Sequence, residues 1–219
     1  MSGKRLILLG PPASGKGTQA QFLTRLFDVP ALSTGAILRR EIEAETELGL
    51  KAREYMNNGK FVPDELVNEL VKGWIRNLEE KSFLLDGYPR TVAQAETLQK
   101  FLDEECGGLD CAVWMDVSRK IIEDRIKHRI ECPACGHVTQ GEIGVSCPRC
   151  STGIMRARTD DALDRFAVRW KDFEDLTMPV TQYYLDKGLV VRVTVDKERD
   201  VEDVSAELKQ KLDEYFVRK

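Results

Sequence analysis

The sequence predicts an α/β fold in which helices cover both faces of a parallel sheet. Short apolar runs alternate along the 219 residues with segments of helical periodicity. The first apolar run, residues 6–9, leads directly into a glycine loop and a helix, and polar residues follow a later run at 82–86. In a parallel α/β sheet such strand ends meet at one edge, so we expect a binding cleft there.

The glycine loop at residues 10–18 reads GPPASGKGT. Backbone N–H groups of such a loop face inward and bind phosphate oxygens, and the positive end of the following helix strengthens the site. The alternative is an ordinary Gly/Pro turn, which the preceding strand disfavours. The residues that we assign to phosphate binding are Gly10, Ser14, Gly15, Lys16, Gly17 and Thr18.

Gly17 follows Lys16 at the position where the usual loop has Ser or Thr to hold Mg²⁺. We therefore expect the metal to be held largely through water and by another acidic residue. Asp86, which ends the apolar run at 82–86, is the candidate, with a turn or capping aspartate as the alternative.

The other elements follow in order from periodicity and from stop signals. A helix over 16–27 ends at Asp28 and Pro30, and Ser33 is a candidate cap. Residues 36–57 predict two helices that break near Thr46, and a third helix starts after residues 63–65 and runs through Trp74. After the strand at 82–86 we predict a helix at 92–105, a strand at 111–116 and a helix capped by Ser118. A further helix begins at residue 160 and is kinked or divided near Pro179. A strand at 189–195 and a helix at 201–216 follow.

Charge and apolar patterning exclude several classes of protein. With 33 basic and 37 acidic residues the net charge is −4, which gives no reason to invoke a nucleic-acid partner. We predict no membrane span. Because Gly10 and Pro11 end the first apolar run too early for a signal-peptide core, we expect a cytoplasmic location.

Four cysteines occur as two CxxC pairs in residues 130–157, a segment without helical periodicity. Two such turns supply four thiolates for a closed tetrahedral Zn²⁺ site, which predicts a structural metal. Redox pairs and iron–sulfur ligation are the alternatives. His137 lies between the pairs and is expected to be a bystander. The expected ligands are Cys132, Cys135, Cys147 and Cys150.

Arginines recur near predicted element ends, which is where a second phosphate chain would need positive charge. Arg125 and Arg129 are four residues apart and are predicted to share one face of the helix after Ser118. A single arginine of this kind is usually a solvated surface residue, but the glycine loop favours a functional set. The set is Arg39, Arg90, Arg125, Arg129, Arg158 and Arg169.

Together these motifs resemble the adenylate kinase family, in its zinc-containing form, over essentially the whole chain. The resemblance implies that Arg125 packs on the ATP adenine and that Arg129 contacts the ATP phosphates. Residues 59–62 are similar to the segment that closes over the AMP base, and residues 87–91 with Gln94 are similar to the family's GFPRT segment. Gln94 would read adenine and Arg90 would hold the AMP phosphate. The implied AMP site is Thr34, Gly35, Arg39, Lys60, Val62, Gly87, Arg90, Gln94, Arg158 and Arg169.

The resemblance also implies a domain organisation. The core would comprise residues 1–32, 63–129 and 158–219, with an AMP-binding arm at 33–62 and a zinc-binding lid at 130–157. Asp160 and Asp161 would belong to the returning stem of the lid. Three departures stand out: Ala13 replaces a usual glycine, Ala36 replaces a usual aspartate, and the lid is short.

The implied activity is Mg²⁺-dependent, reversible, in-line phosphoryl transfer from ATP to AMP, which gives two ADP. Lys16, Arg90, Arg129, Arg158 and Arg169 would be the catalytic residues, and the expected state is a monomer. The nearest alternative is a UMP/CMP or other nucleoside-monophosphate kinase. More distant alternatives are a P-loop ATPase and a zinc-ribbon nucleic-acid-binding protein.

Overall fold

The computed structural model describes residues 4–58, 60–158 and 161–218. Its strands are β1 (Arg5–Leu9), β2 (Ala31–Ser33), β3 (Phe83–Asp86), β4 (Cys111–Val117), β5 (Arg129–Glu131), β6 (Val138–Gln140), β7 (Arg156–Ala157) and β8 (Val190–Val195). Its helices are α1 (Lys16–Phe27), α2 (Thr34–Glu43), α3 (Glu47–Asn57), α4 (Asp64–Arg76), α5 (Val92–Glu105), α6 (Arg119–His128), α7 (Leu163–Asp172), α8 (Met178–Asp186) and α9 (Val201–Val217).

Five parallel strands form the central sheet in the order β2-β3-β1-β4-β8, which confirms the predicted α/β class. The register pairs Leu8 of β1 and Ser33 of β2 with Asp86 of β3, so all three strands end at one edge. The edge strand β2 was missed by sequence reasoning. It has only three residues and is defined by its pairing with β3, which leaves little local pattern.

The strand β1 divides the core into two layers because its side chains alternate between the faces of the sheet. Leu6 and Leu8 pack with residues of α1, α6, α7 and α9, whereas Ile7 and Leu9 pack with residues of α2 to α5 and α8. All four side chains are buried. Helices therefore cover both faces, as predicted.

Between β2 and β3 the chain forms α2, α3 and α4, as predicted. The break near Thr46 is confirmed, since the Thr46 hydroxyl accepts a 3.1 Å hydrogen bond from the backbone N–H of Gly49 and caps α3. A Cβ at Gly49 would lie 2.0 Å from the Glu41 carbonyl oxygen, so only glycine allows this close approach of α3 to α2.

The C-terminal helical segment is divided near Pro179, as predicted. A π-helical turn at Phe173–Thr177 joins α7 to α8, and Pro179 lies in the first turn of α8. Proline is tolerated there because the first N–H groups of a helix have no partner within it.

The segment after α6 forms a small antiparallel sheet in the order β6-β5-β7. One prediction is wrong here, because α6 ends at His128 and Arg129 begins β5, paired with Gln140. The strand pairing holds Arg129 extended, at φ −76° and ψ 125°, so it does not share a helical face with Arg125. Within the described parts of the chain, no helix combines the length and apolar content needed to cross a bilayer.

Candidate active site and metal centre

A cleft of about 820 Å³ opens at the carboxyl edge of the central sheet. The glycine loop lines one side of it, Asp86 lies at its floor at the end of β3, and the six predicted arginines contribute to its wall. The predicted residues that line it are Gly10, Ser14, Gly15, Lys16, Gly17, Thr18, Gly35, Arg39, Asp86, Gly87, Arg90, Arg125, Arg129, Arg158 and Arg169.

The loop has the backbone geometry that its glycines predict. Gly10 has φ 144°, and a Cβ there would lie 2.6 Å from the Met115 carbonyl oxygen. Gly15 has φ 90° and precedes the first residue of α1. Ala13, which departs from the family pattern, has φ 58°, a left-handed conformation that is strained for a residue with a side chain.

Lys16 turns back onto the loop. Its Nζ atom donates hydrogen bonds to the carbonyl oxygens of Gly10 (2.8 Å) and Pro11 (2.6 Å). Burial lowers the pKa of Lys16 to about 7, Asp86 opposes that shift, and the positive charges of Arg90, Arg169 and Arg129 add to it. The ammonium therefore lies in a site that lacks an anionic partner of sufficient charge.

Oxygen atoms suited to Mg²⁺ lie beside the start of α1. The Asp86 Oδ2 atom is 4.0 Å from the position that a Cβ at Gly17 would take, and the exposed Thr18 is one residue further along the helix. Carboxylate, hydroxyl and water oxygens are the ligands that Mg²⁺ prefers. The residues present thus fit a magnesium ion that arrives with a nucleotide.

Carboxylates hold several arginines on the cleft wall. Asp161 pairs with both Arg129 and Arg169, its Oδ2 accepting from Arg129 Nε at 2.6 Å and its Oδ1 from Arg169 Nη1 at 3.1 Å. Arg158 Nε lies 3.3 Å from Glu131 Oε2. Both carboxylates are mostly buried, so they fix the directions of the guanidinium groups.

Arg125 is paired with a carboxylate that is largely exposed, unlike Asp161 and Glu131. It pairs with Glu198, which lies just after β8, at 3.2 Å. Sequence reasoning did not identify Glu131 or Glu198 as partners of arginine. Each glutamate lies far along the sequence from the arginine with which it pairs. A single acidic residue carries no local signal of such a contact.

A smaller pocket of about 60 Å³ adjoins the cleft between α2, α4 and the start of α5. Arg90 Nε donates to the Gly87 carbonyl oxygen at 2.7 Å, and its guanidinium lies 5.0 Å from the centre of the Phe61 ring. A Cβ at Gly35, in the first turn of α2, would lie 3.4 Å from Arg39 Nη1 and 3.8 Å from Arg90 Nη2, so both guanidinium groups lie within contact distance of this helix end.

The smaller pocket brings together most of the predicted AMP residues. They are Thr34, Gly35, Arg39, Lys60, Val62, Gly87, Arg90, Gln94 and Arg169. The pocket is also lined by Leu38, Met56, Phe61 and Val67, of which only Phe61 lies in the segment expected to close over the AMP base. Arg158 lines the larger cleft instead. Gly59 and Asp160, which the resemblance also placed in these segments, lie outside the described residues.

The four predicted cysteines lie together at the lid sheet. Their sulfur atoms are all within 4.8 Å of one another, and the Cys132–Cys150 and Cys135–Cys147 pairs are each separated by 3.7 Å. Four sulfurs about 2.3 Å from a tetrahedral Zn²⁺ would be ~3.8 Å apart, whereas a disulfide requires ~2.05 Å. The cluster therefore fits zinc. Among the described residues, His137 is not part of it.

Hydrogen bonds favour the thiolate at Cys150, whereas at Cys135 a backbone hydrogen bond from His137 is outweighed by burial and the other cluster sulfur atoms, which raise the pKa. The Thr152 hydroxyl donates to Cys150 Sγ at 3.3 Å and, together with neighbouring backbone N–H groups, lowers the pKa of Cys150 to about 5. The Arg149 backbone N–H donates to Cys147 Sγ at 3.4 Å. A Cβ at Gly153 would lie 2.3 Å from Cys132 Sγ, so glycine is required beside the cluster.

Comparison with known proteins gives one consistent result. The sequence model of the family described as adenylate kinase matches residues 8–189. Three relatives named adenylate kinase come from Thermoanaerobacter sp. (40% identical, 95% of this chain and 97% of the relative), Clostridium acetobutylicum (40%, 96% and 99%) and Caldicellulosiruptor bescii (45%, 85% and 89%).

Proposed function

The chain belongs to the adenylate kinase family, and on that premise we propose that its cleft transfers the terminal phosphoryl group of ATP to AMP, reversibly, with two ADP as products. ATP would occupy the glycine-loop side of the cleft and AMP the smaller pocket. An AMP phosphate oxygen would attack the γ-phosphorus of ATP directly, so that no protein nucleophile takes part.

One observation carries this proposal: Arg90 and Arg169 line both the large cleft and the smaller pocket. Their positive charge lies between the loop, which would bind one set of phosphates, and the smaller pocket, which brings together most of the residues expected at a second nucleotide. Two phosphate chains that share guanidinium groups are held close enough for direct transfer. A P-loop ATPase needs only the first of these two sites.

Catalysis in this arrangement is positioning and neutralisation of charge. Lys16 would bind the outer phosphates, Arg129 and Arg158 would hold the transferred group, and Arg90 and Arg169 would hold the acceptor phosphate beside it. Mg²⁺, held by Asp86 through water, would neutralise the donor phosphates when bound. Because Asp161 and Glu131 fix three of these arginines, little reorganisation is needed when charge develops.

We further propose that the arm (residues 33–62) and the lid (residues 130–157) close over the two nucleotides to exclude water, which would otherwise hydrolyse ATP. An ion pair supports this reading, since Arg156 Nη2 of the lid lies 2.9 Å from Glu43 Oε1 of the arm. This contact joins the two segments directly.

The four-cysteine cluster is proposed to bind a structural Zn²⁺. Among the described residues, the buried apolar side chains that pack with the cysteines are Ile130 and Met155, so apolar burial at the lid is small. We expect chelation to lower the melting temperature before it affects the chemical step. A chelated enzyme that keeps its melting temperature but loses turnover would contradict a structural role.

The test of the proposed reaction is coupled turnover with ATP and each of AMP, CMP, UMP and GMP as acceptor. We expect strong preference for AMP, and equal rates with CMP or UMP would favour a pyrimidine-monophosphate kinase instead. Arg90→Lys should lower kcat by roughly 100-fold or more, because lysine cannot reproduce the forked contact. Arg119→Lys, on an exposed ion pair outside the cleft, is the matched control.

A cytoplasmic location and a monomeric state stay predictions from the sequence. Gel filtration with light scattering measures the second directly.

A further inference from the structure

The side-chain amide of Gln94 is held at both ends. Its Nε2 atom donates to Asp64 Oδ1 at 2.7 Å, and its Oε1 atom accepts from the backbone N–H of Arg90 at 2.7 Å. Gln94 is only 2% exposed, yet it lines the smaller pocket. One amide hydrogen and one lone pair of Oε1 remain for a molecule in that pocket.

The orientation of this amide follows from the chemistry of its neighbours. The Thr91 hydroxyl accepts the backbone N–H of Gln94 at 3.1 Å as the cap of α5, so its own proton is available to Asp64 Oδ2, 2.7 Å away. Asp64 thus accepts with both oxygens and faces Nε2 of Gln94. Asp64 is also the first residue of α4, where the helix end favours a carboxylate.

Turning the Gln94 amide by 180° would oppose like groups at both contacts. Oε1 would face the Asp64 carboxylate oxygen, and Nε2 would face the Arg90 N–H. Each opposed pair leaves a buried polar group without a partner. The two contacts therefore permit one orientation of the Gln94 amide. Of the two residues that make these contacts, only Asp64 uses its side chain, because Arg90 uses its backbone N–H.

The orientation matters because purines differ at the edge that an amide reads. Adenine presents a donor at N6 beside an acceptor at N1, whereas a 6-oxopurine such as hypoxanthine presents an acceptor at O6 beside a donor at N1. An amide that matches the first edge must turn by 180° to match the second. One fixed amide therefore selects one of the two classes.

We propose that Asp64 is a positioning residue that fixes the Gln94 amide in the adenine-reading orientation, and so excludes 6-oxopurine monophosphates from the acceptor pocket. This inference rests on the proposed function of the pocket as the AMP site. Asp64 itself does not line the pocket and acts through Gln94.

The decisive variant is Asp64→Asn. The Thr91 hydroxyl still needs an acceptor, so the asparagine oxygen turns toward it and the asparagine amide turns toward Gln94. This contact then favours the opposite orientation of the Gln94 amide, while the Arg90 N–H still favours the original one, so the preference for a single orientation is lost. We expect the ratio of kcat/KM for AMP to that for IMP to fall by roughly 10- to 100-fold, the factor that one or two mismatched hydrogen bonds produce. Asp64→Ala, which removes one constraint without adding a donor, should give an intermediate ratio.

A matched control lies on the same helix. Gln99 Nε2 donates to Asp103 Oδ1 at 2.8 Å on the exposed side of α5, so Asp103→Asn alters the same kind of pair away from the pocket. It should leave the AMP to IMP ratio unchanged.

The outcomes are distinct. A merely structural role for Asp64 would raise KM for both acceptors alike and leave the ratio unchanged in both variants, which would overturn the inference. Asp64→Ala carries the same test if Asp64→Asn does not fold. A wild-type enzyme that does not phosphorylate AMP would instead refute the proposed function, because that result is independent of either variant.

Discussion

Nucleotide binding at the glycine loop should take up a proton. The pKa of Lys16 is lowered to about 7 by burial and by the cleft arginines, and Asp86 only partly offsets this. A bound triphosphate places several negative charges at the ammonium and restores the charged form. At pH 8 only about one tenth of the nucleotide-free molecules carry this proton, so binding should take up about 0.9 proton per molecule.

The affinity should follow the same linkage. Above pH 7 each further unit of pH should raise the dissociation constant for ATP about tenfold, up to the pKa of the bound state. Whereas the affinity for ATP falls as the pH rises, the contribution of Lys16 to the stability of the nucleotide-free protein increases. The unfolded chain binds this proton up to its ordinary pKa of 10.5, so between about pH 7 and 10.5 this group makes the free energy of unfolding rise with pH.

Isothermal titration calorimetry with ATP at pH 8.5, in Tris and in tricine, measures the proton uptake from the difference in enthalpy between buffers. Lys16→Arg is the control, because arginine stays charged and should take up no proton. Equal enthalpies in the two buffers, together with an affinity that does not vary from pH 7 to 9, would refute the reasoning.

Three further predictions concern the scaffold. Asp110→Asn should lower the free energy of unfolding by about 1–2 kcal/mol, since Asp110 accepts three hydrogen bonds from Arg5. Burial raises the pKa of Asp110, but the hydrogen bonds and charge of Arg5 outweigh burial and lower it. The stabilisation is therefore present above about pH 4 and is lost as the pH falls. Acid denaturation curves of the wild type and of Asp110→Asn would reveal this difference. Glu43→Gln should leave the melting temperature almost unchanged, because the ion pair between Glu43 and Arg156 is half exposed. It should alter kcat at low salt by a few fold at most. A large change in kcat at high salt would contradict this. Gly153→Ala should weaken zinc retention in a competition with a chelator, since its methyl group would overlap a cysteine sulfur, and unchanged retention would argue against the cluster geometry.

Much of the fold was accessible from the sequence because its signals are local. Periodicity and stop residues gave the long helices, and the predicted break near Thr46 coincides with a residue type that favours helix N-caps. The strand β2 and the end of α6 before Arg129 were not accessible. Both depend on hydrogen bonds to strands that are distant in the sequence or separated by a loop.

The candidate site divides in the same way. The glycine loop and the CxxC pairs are contiguous motifs whose spacing reflects one phosphate or one metal ion, so the residues could be named before the structure. The partners Asp161 and Glu131, which direct the arginines, carry no such spacing. Nor does Asp64, whose contact with Gln94 spans 30 residues.

Local spacing in the sequence predicts a phosphate-binding loop, a four-cysteine cluster and many arginines near strand ends. The three-dimensional fold is needed to see that Arg90 and Arg169 lie between two pockets and that the Asp64 carboxylate contacts the amide of Gln94. The physical reason is that a motif is written in local spacing, whereas charge sharing and hydrogen-bond direction depend on which distant segments the parallel sheet brings to one edge.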